Sequence, residues 1–310
     1  MNTSKSRTIL VVGSRSNEQL SQESLARVSD YVSDLVTDDN VTCYATFMDD
    51  IVYTISEDSF EAFDTRNNLS LKDVDCIMPR GHGIGIYTAD SYNLSVFCEQ
   101  NNIPIVLSYA NYYPATKVAQ AAIFRELHVP FIETLYIANS QKLIQHAAEH
   151  FGYPYILKGS RGERGESNYL IHDLKEAESA LLAEPTTDFL AQRFCPNDRD
   201  YRVLILGDEQ LIFERRGSGE THLNNTSQGG SAALAHDHLP DEIIAQARAI
   251  MKRLKLRLAG VDVIPNTDTG KFYFLEINTQ PQVQTGSLHE EKKEVMRKFL
   301  LALTNSKKLA

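Results

Sequence analysis

The 310 residues are 42% hydrophobic and 23% charged, with a net charge of −10. That is an ordinary globular balance with room for two or three small domains. An acidic chain repels nucleic acid and anionic membrane surfaces as a whole, so neither is expected as a partner, and an anionic substrate needs a local basic pocket.

The N-terminal stretch MNTSKSRTILVVGS has only four consecutive strongly apolar residues, too few for a secretory segment. No later run approaches the roughly 18 apolar residues of a membrane span. Cys43, Cys76, Cys98 and Cys195 show no paired spacing. This argues against a zinc cluster or disulfide framework and for a reduced, cytoplasmic setting.

RTILVV before Gly13 predicts a buried parallel strand, followed by a helix near residues 20–36. VTCYATF, VDCIMPR and IPIVLS are further short apolar runs between polar stretches. The alternation predicts a doubly wound α/β domain over residues 1–110. A second unit, residues 111–191, begins with the helix TKVAQAAIFRELHVP and continues with SQKLIQHAAEHFG, for which Ser140 is the expected N-cap and Gly152 the stop. YPYILK then reads as a strand, DLKEAESALLA as a helix with an Asp173–Glu176 capping box, and TDFLAQRF as a strand. In the third unit, residues 192–310, DYRVLILGDEQLIFERR predicts a hairpin at Gly207-Asp208. DEIIAQARAIMKRLKLRL predicts an amphipathic helix running to Gly260. GVDVI and KFYFLEIN predict a second hairpin across PNTDTG.

That second hairpin carries the densest chemistry. Side chains at i and i+2 share a strand face, so Glu276 and Asn278 point one way while Ile277 points into the core. A hairpin can bring Asp262 beside them. Two carboxylates and an amide oxygen suit Mg²⁺; a solvent-facing sheet with ordinary charges fits the same residues. Lys158 ends an apolar strand and heads a loop with Gly159, Gly162 and Gly165. A phosphate cradle and a polar turn with a lysine snorkelling off a strand end both fit this pattern. It is not a Walker loop, because no Gly-Lys-Ser/Thr follows. Lys117 at a helix start is mildly unfavourable unless an anion is near. Arg215 and Arg216 are consecutive on a strand, so only one of the pair is expected to enter a site; Asn225 follows. His236 and His238 lack a further ligand at useful spacing and read as a solvated approach to a helix.

In order and spacing these pieces resemble the ATP-grasp superfamily, and within it the RimK-like branch of ATP-dependent glutamate and amino-acid ligases. The likeness runs over roughly residues 74 to 290, through IMPRGHG, ATKVAQAAIFRELHVPFIET, YPYILKGSRGERGE, AQRF, RDYRVLILGD, ERR, NTSQGGSAA, GVDVI and FLEINTQP. The joint order, not any one motif, carries it. The resemblance implies α/β and α+β architecture, an ATP-grasp fold behind an N-terminal Rossmann-like domain. It implies that Lys117 and Lys158 contact the ATP phosphates under a lid at 159–168 that includes Gly162 and Gly165. Gln192, Arg193, Phe194 and Cys195 correspond to the hinge that binds adenine, and Asp200 to the ribose contact. Asp262, Glu276 and Asn278 correspond to ligands for two Mg²⁺ ions, with Mn²⁺ as a substitute and Asn225 nearby. Arg215 or Arg216 would steady the transferred phosphoryl group, and Arg80 would face the acceptor substrate. Three positions depart from the family pattern: Arg193 where the hinge usually has Glu, Thr116 where an acid is common, and Gln282 where Gly is usual.

The activity so implied joins a small-molecule or peptide carboxylate to an amine through an acylphosphate, releasing ADP and phosphate. No side-chain nucleophile is required. An ATP-binding regulatory module and a phosphotransferase are the rival expectations. A homo-oligomer is compatible with the resemblance.

Overall fold

The computed structural model describes residues 6–37, 39–81, 88–110, 116–161, 167–217 and 231–306. The chain opens with β1 (Arg7–Gly13), α1 (Gln19–Val36) and β2 (Val41–Phe47). It passes through a small antiparallel sheet of β3 (Ile51–Ile55), β4 (Phe60–Asp64) and β5 (Leu69–Ser70), and returns as β6 (Cys76–Pro79). β1 lies between β2 and β6 with all three parallel. Ile9, Leu10, Val11 and Val12 are wholly buried, which explains an apolar run without alternation. After α2 (Thr88–Gln100), the IPIVLS run is not a full strand; it meets β6 through a single parallel bridge, Ile77 to Ile105.

Next come α3 (Lys117–Glu126), β7 (Thr134–Leu135), α4 (Ser140–Phe151), β8 (Tyr155–Gly159), β9 (Asn168–Ile171), α5 (Leu174–Ala183) and β10 (Phe189–Arg193). The four strands form a sheet in the order β7-β10-β8-β9, and α4 and α5 pack on it through Leu143, Ile144, Ala147, Ala177 and Leu181. The N-cap of α4 is Asn139 rather than Ser140: its side chain accepts from the Lys142 N–H at 3.0 Å. Asp173 caps α5 as expected, accepting from Glu176 N at 2.9 Å.

The last sheet is five-stranded, ordered β13-β12-β11-β14-β15, from β11 (Asp200–Leu206), β12 (Glu209–Arg216), β13 (Ser231–Leu234), β14 (Leu258–Pro265) and β15 (Phe272–Asn278). α6 (Asp241–Arg253) precedes β14, and α7 (His289–Ser306) ends the described chain. α6 stops earlier than its pattern predicts. Lys255 turns the backbone to φ 52°, and Leu258 to Gly260 already belong to β14. One face of this sheet continues inward as Leu204, Leu211, Phe213 and Leu258 under Met296, Phe299 and Leu300 of α7. Towards the other end of β11, β12 and β14 the buried residues change to Asp200, Arg215 and Asp262. Among the described residues no helix is long and apolar enough to cross a membrane.

Candidate active site

β14 and β15 pair with Asp262 directly opposite Glu276 and Gly260 opposite Asn278, with an irregularity after Asp262. The cross-strand register therefore places two carboxylates and an amide oxygen together. Ile277, 5% exposed, sits in the core between Glu276 and Asn278. A buried carboxamide holds this strand. Gln120 of α3 donates to the Ile277 carbonyl at 3.1 Å and accepts from the Ile277 N–H at 2.7 Å. β15 is an edge strand, so Gln120 supplies the peptide-like partner that a further strand would have given. Lys117, three residues earlier on α3, reaches 4.0 Å from Glu276. Gln120→Leu should leave two buried main-chain groups unpaired, at about 1–3 kcal/mol each, and loosen Glu276 and Asn278 together. The expected result is a lower melting temperature with a raised Mg²⁺ requirement for turnover. An unchanged Mg²⁺ titration would leave Gln120 with a purely structural role.

Lys158, the last residue but one of β8, is 4% exposed. Burial lowers its pKa to about 8, Lys117 adds to the depression, and Glu276 and Asp262 oppose it. The four charges thus share one locus, contributed by α3, β8, β14 and β15. The start of the glycine loop is sterically fixed: a Cβ on Gly159 would lie 2.8 Å from the Arg161 carbonyl oxygen. Ser160 accepts from Lys117 N at 2.9 Å, tying the loop to the start of α3. Thr116 is the N-cap of α3, its hydroxyl accepting from Ala119 N at 3.2 Å, a role that a hydroxyl fills as well as an acid. Gly162, Gly165 and Asn225 lie outside the described residues.

Beside this locus runs a chain of buried ion pairs. Arg202 grips both oxygens of Asp262 at 2.6 Å, and Arg215 reaches Asp262 at 2.9 Å and also pairs with Asp200. These contacts take three of about four acceptor positions on Asp262, leaving one on Oδ1. The remaining donor set is a hard oxygen set, open on one side, and fits a Mg²⁺ ion that takes the rest of its ligands from phosphate and water. Burial works against the Asp262 carboxylate, but Arg202 and Arg215 outweigh it and hold the group below its usual range. Asp200 is pushed up by burial, against the pull of Arg215. Arg202 reaches across β14 because residue 260 is glycine; a Cβ there would meet the Arg202 Cδ at 3.0 Å.

Arg215 and Arg216 separate as strand alternation requires. Arg215 is 4% exposed, whereas Arg216 is half exposed and bonds Glu214 at 2.6 Å. The hinge residues also divide. Gln192 donates to the Thr134 hydroxyl, and Arg193 turns outward to Glu133 and the Phe151 ring. The Arg193 N–H is taken by the Glu133 carbonyl, and the Cys195 carbonyl by Asn197. Among the described residues no bond to the Phe194 main chain is found, so its N–H and C=O face no protein partner. Cys195 packs with Ile132 and Ile264 in an apolar cluster at this point. The Asp200 carboxylate is buried and bonded by Arg215. Arg80 donates to the Pro281 carbonyl, and Gly81 N to the Gln280 side chain, so the end of β6 anchors the turn after Asn278. Arg202 and Gln120 went unmarked in the sequence. Arg202 had a local signal, standing two residues after Asp200 on the same strand; Gln120 had none.

The fold defined by these sheets is that of the ATP-grasp proteins. The RimK-like ATP-grasp domain model matches residues 126–301, and the chain belongs to that family. Among curated proteins it is 25% identical over 247 residues to D-alanine–D-alanine ligase of Acetivibrio thermocellus, a match covering 72% of this chain and 64% of that enzyme, so the chain spans under two thirds of this relative's length. D-alanyl-alanine synthetase A from Vibrio cholerae superposes with a TM-score of 0.69 at 14% identity, covering 99% of this chain and all of the other. The ATP-grasp ligase PsnB, solved with precursor peptide PsnA2 and AMPPNP, gives 0.67 at 16% identity, covering 98% of this chain and 100% of that one.

Proposed function

We propose that the protein is an ATP-dependent carboxylate–amine ligase that works through an acylphosphate. The observation that carries this reading is the convergence of Lys117 and Lys158 on Glu276 and Asp262. Two cations next to two carboxylates at the junction of two sheets fit polyphosphate plus a divalent cation. The reading divides the chain at 1–110, 111–191 and 192–310, with ATP between the second and third units. Lys117 and Lys158 bind phosphate oxygens, and the Phe194 main chain offers adenine one donor and one acceptor. Asp262, Glu276 and Asn278 would hold Mg²⁺, which supplies charge stabilisation for phosphoryl transfer. Arg215 and Arg202 fix Asp262; Arg216 faces away and drops out of the catalytic set. Asp200 acts through Arg215 rather than on ribose.

An oxygen of the acid attacks the γ-phosphorus, the bond to ADP breaks, and an acylphosphate forms. The amine nitrogen then attacks the acyl carbon, phosphate leaves with the C–O bond electrons, and the nitrogen loses a proton. The chain's contribution is positioning and electrostatics. The names of the relatives support small-molecule or peptide substrates. Hydroxylamine should trap the activated acid as a hydroxamate with ADP release. Release of AMP and pyrophosphate would refute the acylphosphate, and ATP binding with no carboxylate-dependent ADP release would leave a regulatory module.

Mg-ATP at a hundred times its dissociation constant should stabilise the fold by about 2.7 kcal/mol, visible as a melting shift. The binding should weaken above pH 8. Lys158 in the free protein loses its proton near that pH, and phosphate favours the charged form, so binding above pH 8 must take up a proton. The free protein responds in the opposite sense. The folded pKa lies below the ordinary 10.5, so the buried ammonium costs stability below pH 8, and stability is recovered as pH rises through that interval. An affinity flat from pH 7 to 9.5 would remove Lys158 from the phosphate site.

A further inference from the structure

Helix α5 ends on an acid. Glu184 is its C-cap, with its N–H donating to the Ala180 carbonyl. A negative charge there faces the negative end of the helix dipole and is mildly unfavourable. Among the described residues no cation offsets it. Three hydroxyls hold it instead: Ser167, Tyr169 and Thr187 all donate to its carboxylate, Thr187 at 2.8 Å. The Ser167 bond, then that of Tyr169, keeps the carboxyl below its usual range against the effect of burial.

The three donors come from the two segments that flank Lys158. β8 lies between β10 and β9, and Lys158 pairs with Leu190 on one side and Asn168 on the other. Ser167 and Tyr169 stand either side of Asn168. Thr187 precedes Asp188, whose carbonyl accepts from Ser160 N at 2.6 Å, while Gly159 N donates to the Ser167 carbonyl at 2.8 Å. A Cβ on Gly159 would lie 3.3 Å from the Ser167 Cβ and 3.4 Å from the Thr187 Cγ2. Two of the residues bonded to Glu184 therefore enclose the backbone just after Lys158. Leu157 and Tyr169 pack with α4 and α5 in the core of this unit, so Lys158 points to the opposite face of the sheet. Glu184 stands behind that sheet, on the helix side.

We infer that Glu184 is a positioning residue for Lys158: its carboxylate ties the β9 and β10 sides together across the end of β8 and so aims the ammonium at the nucleotide phosphates. The inference rests on the reading of Lys158 as a phosphate ligand. An apolar staple would join α5 to the sheet without placing charge at the wrong end of a helix. A carboxylate with three donors adds direction, because hydrogen bonds weaken steeply when misaligned. Lys158 is itself buried, so the strand beneath it sets where its side chain reaches.

The test is a double-mutant cycle on the full chain, with Mg-ATP binding measured by calorimetry in the absence of acid and amine. Lys158→Met should weaken binding more than tenfold and Glu184→Ala at least fivefold. Combined, they should bind within twofold of Lys158→Met alone, because Glu184 acts through the lysine. A merely structural glutamate predicts that the two losses add. Glu184→Gln keeps one acceptor oxygen and gains two donors that hydroxyl oxygens can accept, so its affinity should fall between parent and Glu184→Ala. Ser167→Ala and Tyr169→Phe each remove one donor and should weaken binding in the parent but not in Lys158→Met; they carry the same cycle if Glu184→Ala does not fold. Additive losses, or parent-like affinity in a folded Glu184→Ala, would overturn the positioning role alone. No binding by the parent, or parent-like binding by Lys158→Met, would refute the phosphate reading and the positioning role with it.

Discussion

Glu276→Gln is expected to fold like the parent protein and to lose at least two orders of magnitude in turnover. The side chain is 32% exposed and its ionic contact among the described residues is long, 4.0 Å to Lys117, so that pair contributes little to folding. The strand that carries it is held elsewhere, by the two Gln120 bonds to Ile277 and by the Phe274 N–H to Pro130 carbonyl bond at 2.8 Å. The amide keeps volume and strand geometry but removes one negative charge from the metal-binding set. Charge stabilisation by a metal is worth several kcal/mol, and each ~1.4 kcal/mol is tenfold in rate. A second loss reinforces the first: Glu276 is the strongest charge opposing the burial of the Lys158 ammonium, so the amide also weakens phosphate binding near neutral pH. Ile277→Asp, one residue along at a 5% exposed core position, should reverse the ranking by unfolding the protein. Turnover against Mg²⁺ concentration, measured with melting temperature, separates the two. Wild-type turnover of Glu276→Gln at limiting Mg²⁺ would take Glu276 out of the metal site.

The legible parts of this site are those set by local rules. Period-two alternation puts Glu276 and Asn278 on one strand face and divides Arg215 from Arg216, but regular pairing from the PNTDTG turn would set Asp262 opposite Leu275, and only the irregularity after Asp262 brings it opposite Glu276. What depended on distant pairing was not legible. Arg202 meets Asp262 only because β11 and β14, about sixty residues apart, pair in that register. Gln120 meets Ile277 across 157 residues, and nothing near TKVAQAA marks the glutamine as buried. Lys292 is buried in a helix whose first residues, HEEKKE, look solvent-facing on composition alone. The small β3–β5 sheet escaped because its strands expose Val52, Ile55 and Phe63 and so lack a clean buried face. The run RLKLRL extends the apolar and basic rhythm of α6, and the left-handed turn at Lys255 separates helix from strand. The ribose assignment for Asp200 came from motif position, whereas burial beside Arg215 makes it a partner in the ion-pair chain.

That chain sets the largest expected stability effect. Arg215→Leu should destabilise the protein by about 3–5 kcal/mol at neutral pH, the usual cost of stranding buried charges. Arg215 is 5% exposed at its side chain and bridges Asp200 and Asp262, themselves 7% and 2% exposed. Arg202 still covers Asp262 in the variant, but Asp200 loses its only side-chain partner among the described residues. Burial already pushes the Asp200 pKa up with Arg215 in place, and removing the guanidinium pushes it further. A carboxyl whose folded pKa lies above its unfolded value takes up protons on folding, so its penalty shrinks as pH falls. Asp262 in the parent protein behaves oppositely: its depressed pKa contributes stability present above the unfolded value of 3.8 and lost below it. Both effects narrow the gap between variant and parent on acidification. Denaturant midpoints at pH 7.5 and pH 5 should show the difference falling, and Asp200→Asn added to Arg215→Leu should restore much of the loss at pH 7.5. Arg216→Leu, at a half-exposed position paired with Glu214, should stay within about 0.5 kcal/mol of the parent. A loss for Arg215→Leu that is the same at both pH values, and is not relieved by Asp200→Asn, would mean that lost packing rather than stranded charge accounts for it.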